Sequence, residues 1–487
     1  MKKSLFFMAA LLVAMVSCNK EPKVEEGGIS SDDKVYISFS VQTLTTRSAT
    51  DNETGYGSSD ATPDTEVGDI TENYISSVDI VLRNEDSYVC ASVTSPSLSQ
   101  DDRWVATFES SLLSTGTEYE VYIYANCSAN QDVDAVSNAS IADMTGAKKF
   151  WMTNAETPIK KTFSKFSTDP AKPEDIGTVN VERAMARFDY KPNGAYDVNG
   201  VTVTLKQAAL INQSKNFYLL RRVSADGTDD NWIVGGGETK NNYVVDTDFS
   251  KKRMGFTAAA LHCFDQHLRY PDTWTWESLE DLTKEDNWNE EDYYVWQYCK
   301  ENTIPGADRQ EKGISTGIVF KGELSGENVP DNGTDPIYVF DNVLYGTWDK
   351  VVAAAATNET LKFYTDKFGN TIPETAEAIF AELGNAGFTA YRPESGKYYA
   401  YYYYWNRHND NRNNTNMGPM EFAVVRNNVY KICVESISKF GHPNPEDEYP
   451  VDPDPVDPFD PDESGEYYFM VSAKVLPWVV RVNNIEF

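Results

Sequence analysis

The stretch KVYISFSVQTLTTRSAT, residues 34–50, decides how the N-terminal part of this chain is interpreted. Its apolar positions alternate with polar or aromatic ones and are Val35, Ile37, Phe39 and Val41. A period of two predicts a β-strand with one face in a core. The strand runs into Arg47, which stands among threonine, serine and alanine residues. The sequence therefore predicts a well-packed core strand directly followed by a bond that a protease can reach.

The residues before this strand resemble an export signal. Lys2 and Lys3 form a positive start, and the apolar run 5–16 is shorter than the ~20 residues needed to span a bilayer. Met15-Val16-Ser17-Cys18 resembles a lipobox, so we expect residues 1–17 to be a lipoprotein signal peptide and Cys18 to be lipidated. An ordinary secretory signal with an incidental cysteine is the alternative. Several acyl chains on one cysteine suffice for stable anchoring, which predicts an outer-membrane lipoprotein precursor.

Composition limits the classes of function. The chain has 487 residues, which favours more than one domain, and 13% aromatic residues, which can fill a core. Its formal net charge of -32 repels nucleic acid and anionic lipid, so we expect no nucleic-acid partner. Apart from Cys18, an odd number of cysteines without CxxC spacing argues against a disulfide framework, although one bridge stays open.

Short alternating runs bounded by turn residues fill most of the chain and predict antiparallel β-structure. One group ends near Lys191-Pro192-Asn193-Gly194, which is a plausible domain boundary. A second group follows and is interrupted by helical patterns between about 348 and 386. Residues 443–465 form an acidic, proline-rich linker that cannot join a sheet, and residues 466–487 return to a strand pattern. We expect a mainly β fold with a few helices in its second half.

Two patterns that imitate catalytic or metal sites are rejected. Gly313-Ile314-Ser315-Thr316-Gly317 matches a nucleophile elbow, but a polar loop precedes the serine and a strand follows it, which reverses the required context. His262, Cys263 and His267 lack the second half of a zinc site in a chain with 4 histidines. We therefore expect no enzyme activity, no catalytic residue, no metal and no cofactor.

Two further segments keep an open alternative. The aspartates that alternate with proline between 452 and 462 are read as a solvated linker, with weak Ca²⁺ binding as the alternative. The run from Tyr398 to Trp405 is read as core packing, with a sugar-stacking surface or a subunit contact as the alternative.

Five segments of the chain together carry a family resemblance. Three of them are the lipobox, the strand that ends at Arg47 and VNVERAMARFDY at 179–190. The other two are MEFAVVRNNVYKICVESISKFGHPNP at 420–445 and VLPWVVRVNN at 475–484, and the block from Phe422 to Pro443 with Trp478 is the most specific part. Together these segments resemble the fimbrillins, which are the shaft subunits of the type V pili of Bacteroidales.

This resemblance implies two transthyretin-like antiparallel β-sandwich domains, at 48–194 and 195–487, with helical insertions in the second. Such subunits are exported as lipoproteins and cut by an Arg-specific protease. Carried onto this sequence, the propeptide is 18–47, the cut falls between Arg47 and Ser48, and the strand that holds Val35 leaves with its lipid. That strand acts as a plug, because its presence completes a sheet that is otherwise open to a neighbour.

The C-terminal region supplies a replacement strand. Its candidate donor residues, which alternate along the sequence, are Phe469, Val471, Ala473, Val475, Trp478, Val480 and Val482. Insertion into the next subunit would be β-strand addition, and such a head-to-tail contact produces a filament. We expect identical subunits as partners, with anchor and tip subunits, in an adhesive fimbria at the cell surface. The alternatives are a lipid-anchored anchor subunit or tip adhesin, and a surface glycan-binding lipoprotein.

Overall fold

The protein is described from a computed structural model. The ranges that it describes are 33–43, 66–67, 69–94, 103–130, 132–146, 149–228, 230–235, 243–248, 263–284, 289–303, 314–368, 387–408, 420–445 and 469–479. Within these ranges no helix is long and apolar enough to cross a membrane.

The strands up to residue 183 are β1 Lys34–Thr43, β2 Glu66–Val67, β3 Ser77–Arg83, β4 Tyr88–Thr94, β5 Trp104–Glu109, β6 Glu118–Ala125, β7 Val136–Ser137, β8 Met152–Asn154, β9 Ile159–Thr162 and β10 Glu174–Arg183. The helices of this part are α1 Ile141–Thr145 and the 3-10 turns η1 Ile70–Asn73 and η2 Ser110–Leu112.

The strands after residue 183 are β11 Ala186–Lys191, β12 Ala195–Val198, β13 Val201–Ile211, β14 Gln213–Ser214, β15 Phe217–Tyr218, β16 Arg222–Ser224, β17 Ile233–Val234, β18 Tyr243–Val244, β19 Phe264–Asp265, β20 Glu277–Ser278, β21 Asn289–Glu290, β22 Tyr293–Cys299, β23 Gly317–Ser325, β24 Ile337–Phe340, β25 Val343–Tyr345, β26 Phe388–Tyr391, β27 Tyr398–Trp405, β28 Asn428–Ile437 and β29 Phe469–Val479. The helices are α2 Trp348–Ala355 and α3 Glu359–Phe368, with 3-10 turns η3 Pro271–Thr273 and η4 Asp281–Thr283.

The N-terminal part is built on one eight-stranded sheet. Its order is β4-β3-β6-β8-β10-β1-β5, with β9 paired to β6. Alternation places one face of these strands in a common apolar core, as Val78, Ile80 and Leu82 of β3 show by being fully buried. β1 therefore lies inside the sheet and not at its edge.

The C-terminal part is a sandwich of two sheets. The first has the order β2-β29-β28-β11-β22-β21, and the second has the order β12-β13-β23-β27 with β20 paired to β13. Their inner faces share one core in which Phe188 of β11 stacks on Tyr430 of β28 with ring centroids 4.9 Å apart. Phe320 of β23 and Tyr402 of β27 enter the same core from the second sheet. Interdigitated side chains of two such faces are the usual core of a β-sandwich.

The helical insertion begins where the sequence pattern changes from a period of two to a period near 3.6. Thr347 caps α2, since its hydroxyl accepts a hydrogen bond from the Lys350 N–H at 3.3 Å. Trp348, Val351 and Ala355 lie on one buried face of α2, as a helical period requires. The helix packs on the small sheet β25-β24-β26 through the contact between Trp348 and Tyr338.

The mainly β fold with helices in the C-terminal part is confirmed, whereas the division into two domains at residue 194 stays a prediction. Two features differ from simple antiparallel sandwiches. The pairs β1–β10, β11–β28 and β2–β29 run parallel. Each joins segments far apart in the sequence, as parallel pairing requires, since a hairpin cannot connect parallel strands. β11 precedes residue 194 yet belongs to the C-terminal sandwich, since the turn at 191–194 carries the chain from one of its sheets to the other.

A β-bulge in β10 adjusts its pairing with β1. The register shifts between Ser38, which lies opposite Asp175, and Ser40, which lies opposite Thr178. The bulged strand therefore has one extra residue, and Gly177 there has φ +104. Residues with a Cβ rarely adopt this conformation, which explains the glycine.

Gly177→Ala is expected to lower the free energy of unfolding by about 1–3 kcal/mol, the usual cost of a strained backbone conformation. An added Cβ would meet no atom within 4 Å, so a loss measures the backbone term alone. Gly146→Ala is the matched control, because Gly146 is equally uncrowded and has φ -54. Urea denaturation of both variants checks the prediction, and equal stability of the two would contradict it.

Candidate functional site

β1 is paired along both edges. It runs parallel to β10 from Ile37 to Thr43 and antiparallel to β5 from Lys34 to Phe39. Its N–H and C=O groups therefore have partners on both sides for most of its length. β5 reaches the rest of the eight-stranded sheet through β1, because no other strand of that sheet pairs with β5 among the described residues.

The predicted plug residues occupy the core face of β1. Val35, Ile37 and Phe39 have exposed fractions of 0%, and Val41 is half-buried. They belong to the apolar core that also contains Phe108 of β5. The alternation seen in the sequence thus corresponds to one face of a strand that is sealed from water.

The opposite face of β1 is covered at its centre. Ser38 points away from the core side chains but has an exposed fraction of only 3%. Tyr36, on the same face, is half-buried. Its backbone N–H lies in the plane of the sheet and donates to the Ser167 carbonyl at 2.9 Å, which extends the pairing along one edge of β1. Exposed side chains occur only near the ends, where Lys34 pairs with Glu109. β1 is therefore enclosed from both faces as well as from both edges at Ser38.

The predicted processing residues lie outside the described residues. These are Cys18, Arg47 and Ser48, and the acidic linker also lies outside from residue 446 onward. Their roles stay predictions. β1 ends at Thr43, four positions before the predicted cleavage residue.

The predicted donor region forms β29 and pairs within its own chain. Residues from Phe469 to Pro477 run antiparallel to β28, and Trp478 and Val479 pair with Glu66 and Val67 of β2. Phe469, Val471, Ala473, Val475 and Trp478 are thus placed on one strand. Val480 and Val482 lie outside the described residues, and the donor role of all seven stays a prediction.

The segment after β2 is fixed to the C-terminal sandwich through Glu72 of η1. A capping box forms this turn, in which the Asp69 N–H donates to Glu72 Oε2 at 2.8 Å. Arg187 Nη1 donates to the same carboxylate oxygen at 2.8 Å, and the Tyr298 hydroxyl donates to the other oxygen. Arg187 lies on β11 and Tyr298 on β22. The Glu72 carboxylate therefore connects η1 to two neighbouring strands, by an ion pair with β11 and a hydrogen bond from β22.

Arg187 is the centre of a fully buried ionic cluster. It donates two parallel hydrogen bonds to Asp189, both at 2.8 Å, in addition to its bond with Glu72. Arg187 and Asp189 have no exposed side-chain surface, and Glu72 is 2% exposed. Burial raises the pKa of the Asp189 carboxyl above its ordinary value, and the Arg187 charge opposes this shift.

Arg183 joins this cluster, and Arg426 forms a second buried ion pair. Arg183 donates to the Glu72 carbonyl at 3.1 Å and to Asn427 Oδ1 at 3.1 Å. Burial lowers the pKa of Arg183 to about 9. Arg426 contacts Glu301 Oε2 at 3.0 Å and also donates to backbone carbonyls of β15 and the following turn. Arg183 thus connects the end of β10 to η1, and Arg426 connects the turn before β28 to Glu301 and β15.

Sequence reasoning did not identify this cluster. The signal that could have found it is Arg187-Phe188-Asp189, since residues two apart lie on the same face of a strand and opposite charges there form a pair. Charged residues in a strand usually indicate an exposed face, so the pattern alone did not predict burial.

The described members of the two rejected motifs are buried. Ser315 is fully buried, and Gly313 and His262 lie outside the described residues. His267 is buried, and its Nδ1 accepts from the Arg269 N–H at 3.0 Å. Where the chain is described, no three histidine, cysteine or acidic side chains cluster as metal ligands would, and the cysteines from Cys90 to Cys433 are unbridged.

The aromatic run of β27 packs on both faces of its sheet. Tyr398 and Tyr402 enter the sandwich core. On the other face, Tyr401 contacts Trp276 with centroids 5.9 Å apart, and Lys321 Nζ lies 4.1 Å from the Tyr399 ring centroid. Most aromatic side chains of β27 therefore pack against other residues of the fold. The half-buried aromatics on the outer face are the ones that could contact a ligand.

The C-terminal region is similar to a known protein family. Residues 396–484 match the family model of the major fimbrial subunit protein type IV, fimbrillin, C-terminal. This range contains β27, β28 and β29. No curated protein matches the chain significantly.

The chain is also similar to solved structures at low sequence identity. One is a protein from Parabacteroides distasonis assigned to cell adhesion, with 12% identity, a TM-score of 0.44, and coverage of 92% of this chain and 98% of that one. Another is a fimbrilin, FimA, from Porphyromonas gingivalis, with 13% identity, a TM-score of 0.40, and coverage of 93% and 99%. A third is the tip fimbrial protein Mfa3 from Porphyromonas gingivalis, with 10% identity, a TM-score of 0.36, and coverage of 91% and 100%.

Proposed function

We propose that this protein is a shaft subunit of a fimbria that polymerises by strand exchange. The match of residues 396–484 to the C-terminal model of a major fimbrial subunit supports a structural role in a fimbria. The precursor is exported as a lipoprotein anchored through Cys18. An Arg-specific protease cuts it after Arg47, β1 leaves, and the C-terminal strand of a second copy takes the place of β1. The resulting fimbria lies at the cell surface, supports adhesion, and ends in anchor and tip subunits.

The observation that carries this proposal is the position of β1 between β10 and β5. A strand that leaves this position exposes two rows of backbone hydrogen-bonding groups and a strip of core. An extended peptide can restore both, with backbone hydrogen bonds supplying affinity and the pockets of Val35, Ile37 and Phe39 supplying specificity. Such a position is a site for β-strand addition as soon as its occupant can be exchanged.

Cleavage alone does not release the strand. Burial of Val35, Ile37 and Phe39 contributes about 5–9 kcal/mol before the cost of ordering the strand, at roughly 1.5–3 kcal/mol for each side chain. What the cut removes is the covalent connection that holds β1 at a high effective concentration beside its own groove. A competing strand then meets a dissociable occupant instead of a tethered one.

The competing strand comes from an identical subunit. β29 is paired with β28 and β2 of its own chain in the monomer, so donation replaces these pairs with pairs in a neighbour. Groove and donor lie on different parts of the molecule, and the contact is therefore heterologous and extends without closing. This geometry gives a filament.

Protease treatment of the form that starts at residue 19 tests the proposal. Trace Arg-specific protease is expected to produce a new N-terminus at Ser48, and unboiled samples are expected to give an SDS-resistant ladder. Arg47→Lys is the matched control, because it resists this protease while a Lys-specific protease restores both cut and ladder.

Clean cleavage that leaves only monomers would overturn polymerisation. Oligosaccharide binding by those monomers would instead support the glycan-binding alternative, in which the outer aromatics of β27 contact sugar. A chain that resists cleavage at Arg47 in the folded state would favour a subunit that stays lipid-anchored.

A further inference from the structure

The groove of β1 places a steric demand on any strand that replaces it. Ser38 lies opposite Asp175 of β10 and opposite Val105 of β5. Its side chain is on the face away from the apolar core, yet only 3% of it is exposed. At the centre of the groove, the face away from the core therefore has no room for a side chain much larger than serine.

The residues on either side of Ser38 add a second requirement, for apolar side chains. Ile37 and Phe39, one position away on either side, are fully buried, and so is Val35 three positions away. Val41, three positions away on the other side, is half-buried. A matching strand needs a small residue at its centre and apolar residues one and three positions away in both directions.

Within residues 466–487, Ser472 meets this requirement. Its neighbours are Val471 and Ala473 at one position and Phe469 and Val475 at three. The pattern reads the same in both directions, so it fits whether the incoming strand runs with or against the direction of β1.

The other candidate segment does not fit. A strand centred on Val479 would put a branched side chain into the closed position of Ser38, and one centred on Arg481 would bury a charge there. Overfilling a packed site is destabilising, and burying an unpaired charge is more so. Pro477 also lacks an N–H and is unsuited to a strand that pairs along both edges.

We propose that the donated segment is 469–475, with Ser472 in the position of Ser38 of a second copy, and that Trp478, Val480 and Val482 lie beyond the groove. This inference rests on the proposed function. Ala473 then occupies the pocket of Phe39 or of Ile37, depending on strand direction, and underfills it. The register thus also assigns Ala473 as the position where a larger residue strengthens the contact.

Ladder formation after the cut tests this register. Ser472→Leu is expected to reduce the ladder at least about fivefold because the closed position cannot hold leucine, whereas the matched Ser472→Ala variant polymerises like the wild type. Combined alanine replacement of Trp478, Val480 and Val482 is expected to leave the ladder intact. A ladder that survives Ser472→Leu, or one lost in the triple alanine variant, overturns the register.

Mixing separates a donor defect from a folding defect. Cut Ser472→Leu protein still has an intact groove, so it should accept a wild-type strand, fail to donate its own, and shorten wild-type ladders. If Ser472→Leu protein neither accepts a wild-type strand nor shortens wild-type ladders, Ala473→Leu is the deciding variant. The register predicts that Ala473→Leu ladders withstand a higher temperature in SDS than wild-type ladders. No rise in that temperature would overturn the register. A wild-type protein that forms no ladder overturns strand exchange and the register together.

Discussion

Arg187→Ala is expected to lower the free energy of unfolding by about 3–5 kcal/mol, the usual cost of removing one member of a buried ionic group. The wild-type guanidinium donates to both oxygens of Asp189 and to Glu72, each at 2.8 Å. Alanine leaves two buried carboxylates without this partner. Urea denaturation of the uncut protein at neutral pH measures the loss.

Lys160→Ala is the matched control for this prediction. Lys160 lies 3.5 Å from Glu118 and 3.8 Å from Glu120 on the exposed surface, where an ion pair contributes about 0–1 kcal/mol. Equal losses in the two variants would contradict the central role of Arg187.

The loss in Arg187→Ala is also expected to depend on pH. Burial already raises the pKa of Asp189 above its unfolded value, and removal of the cation raises it further. The folded variant then binds a proton more tightly than the unfolded chain does, so acidification through this range favours its folded state. The difference from the wild type should therefore be largest at neutral pH and should shrink as the pH falls.

Phe39→Ala is expected to destabilise the uncut protein by about 3–5 kcal/mol, the usual cost of emptying a buried phenylalanine site. Phe39 has no exposed surface and lies in the core beside β5 and β10. Gln42→Ala is the matched control, because Gln42 is exposed on the same strand. Thermal and urea unfolding of the two variants check the difference.

The same substitution distinguishes the precursor from the polymer. A strand that leaves takes Phe39 with it, so Phe39→Ala is expected to speed ladder formation after the cut without changing the heat resistance of the finished ladder. Ladders that are weakened by Phe39→Ala would show that β1 stays in the assembled subunit.

Side-chain periodicity in the sequence predicted which segments form strands or helices and which of their faces are buried. Alternation at Val35, Ile37 and Phe39 predicted a strand with one buried face, and β1 has that face. The change of period at Trp348 predicted a helix, and α2 begins at that residue. Both signals are local, because a strand or a helix exposes its pattern within a few residues.

Pairing partners and buried charge could not be predicted in this way. A strand pattern defines which side is apolar but not which segment lies alongside, so the parallel pairing of β1 with β10 was not foreseen. Arg187 and Asp189 looked like exposed residues because their third partner, Glu72, is far away in sequence. Contacts of this kind depend on the tertiary fold, which one sequence does not reveal.

Glu72 holds the chain downstream of the predicted cut, as β1 holds it upstream. The bond after Arg47 separates two attachments of different physical character: an apolar one upstream, where β1 is held by core packing, and an ionic one downstream, where η1 is held by Arg187, Arg183 and Tyr298. Only the first is removable by competition with another apolar strand. If the proposed cut occurs, η1 would still be held to β11 and β22 by these contacts. Tension in the proposed filament would then reach the C-terminal sandwich through β11 and β22 as well as through the covalent chain.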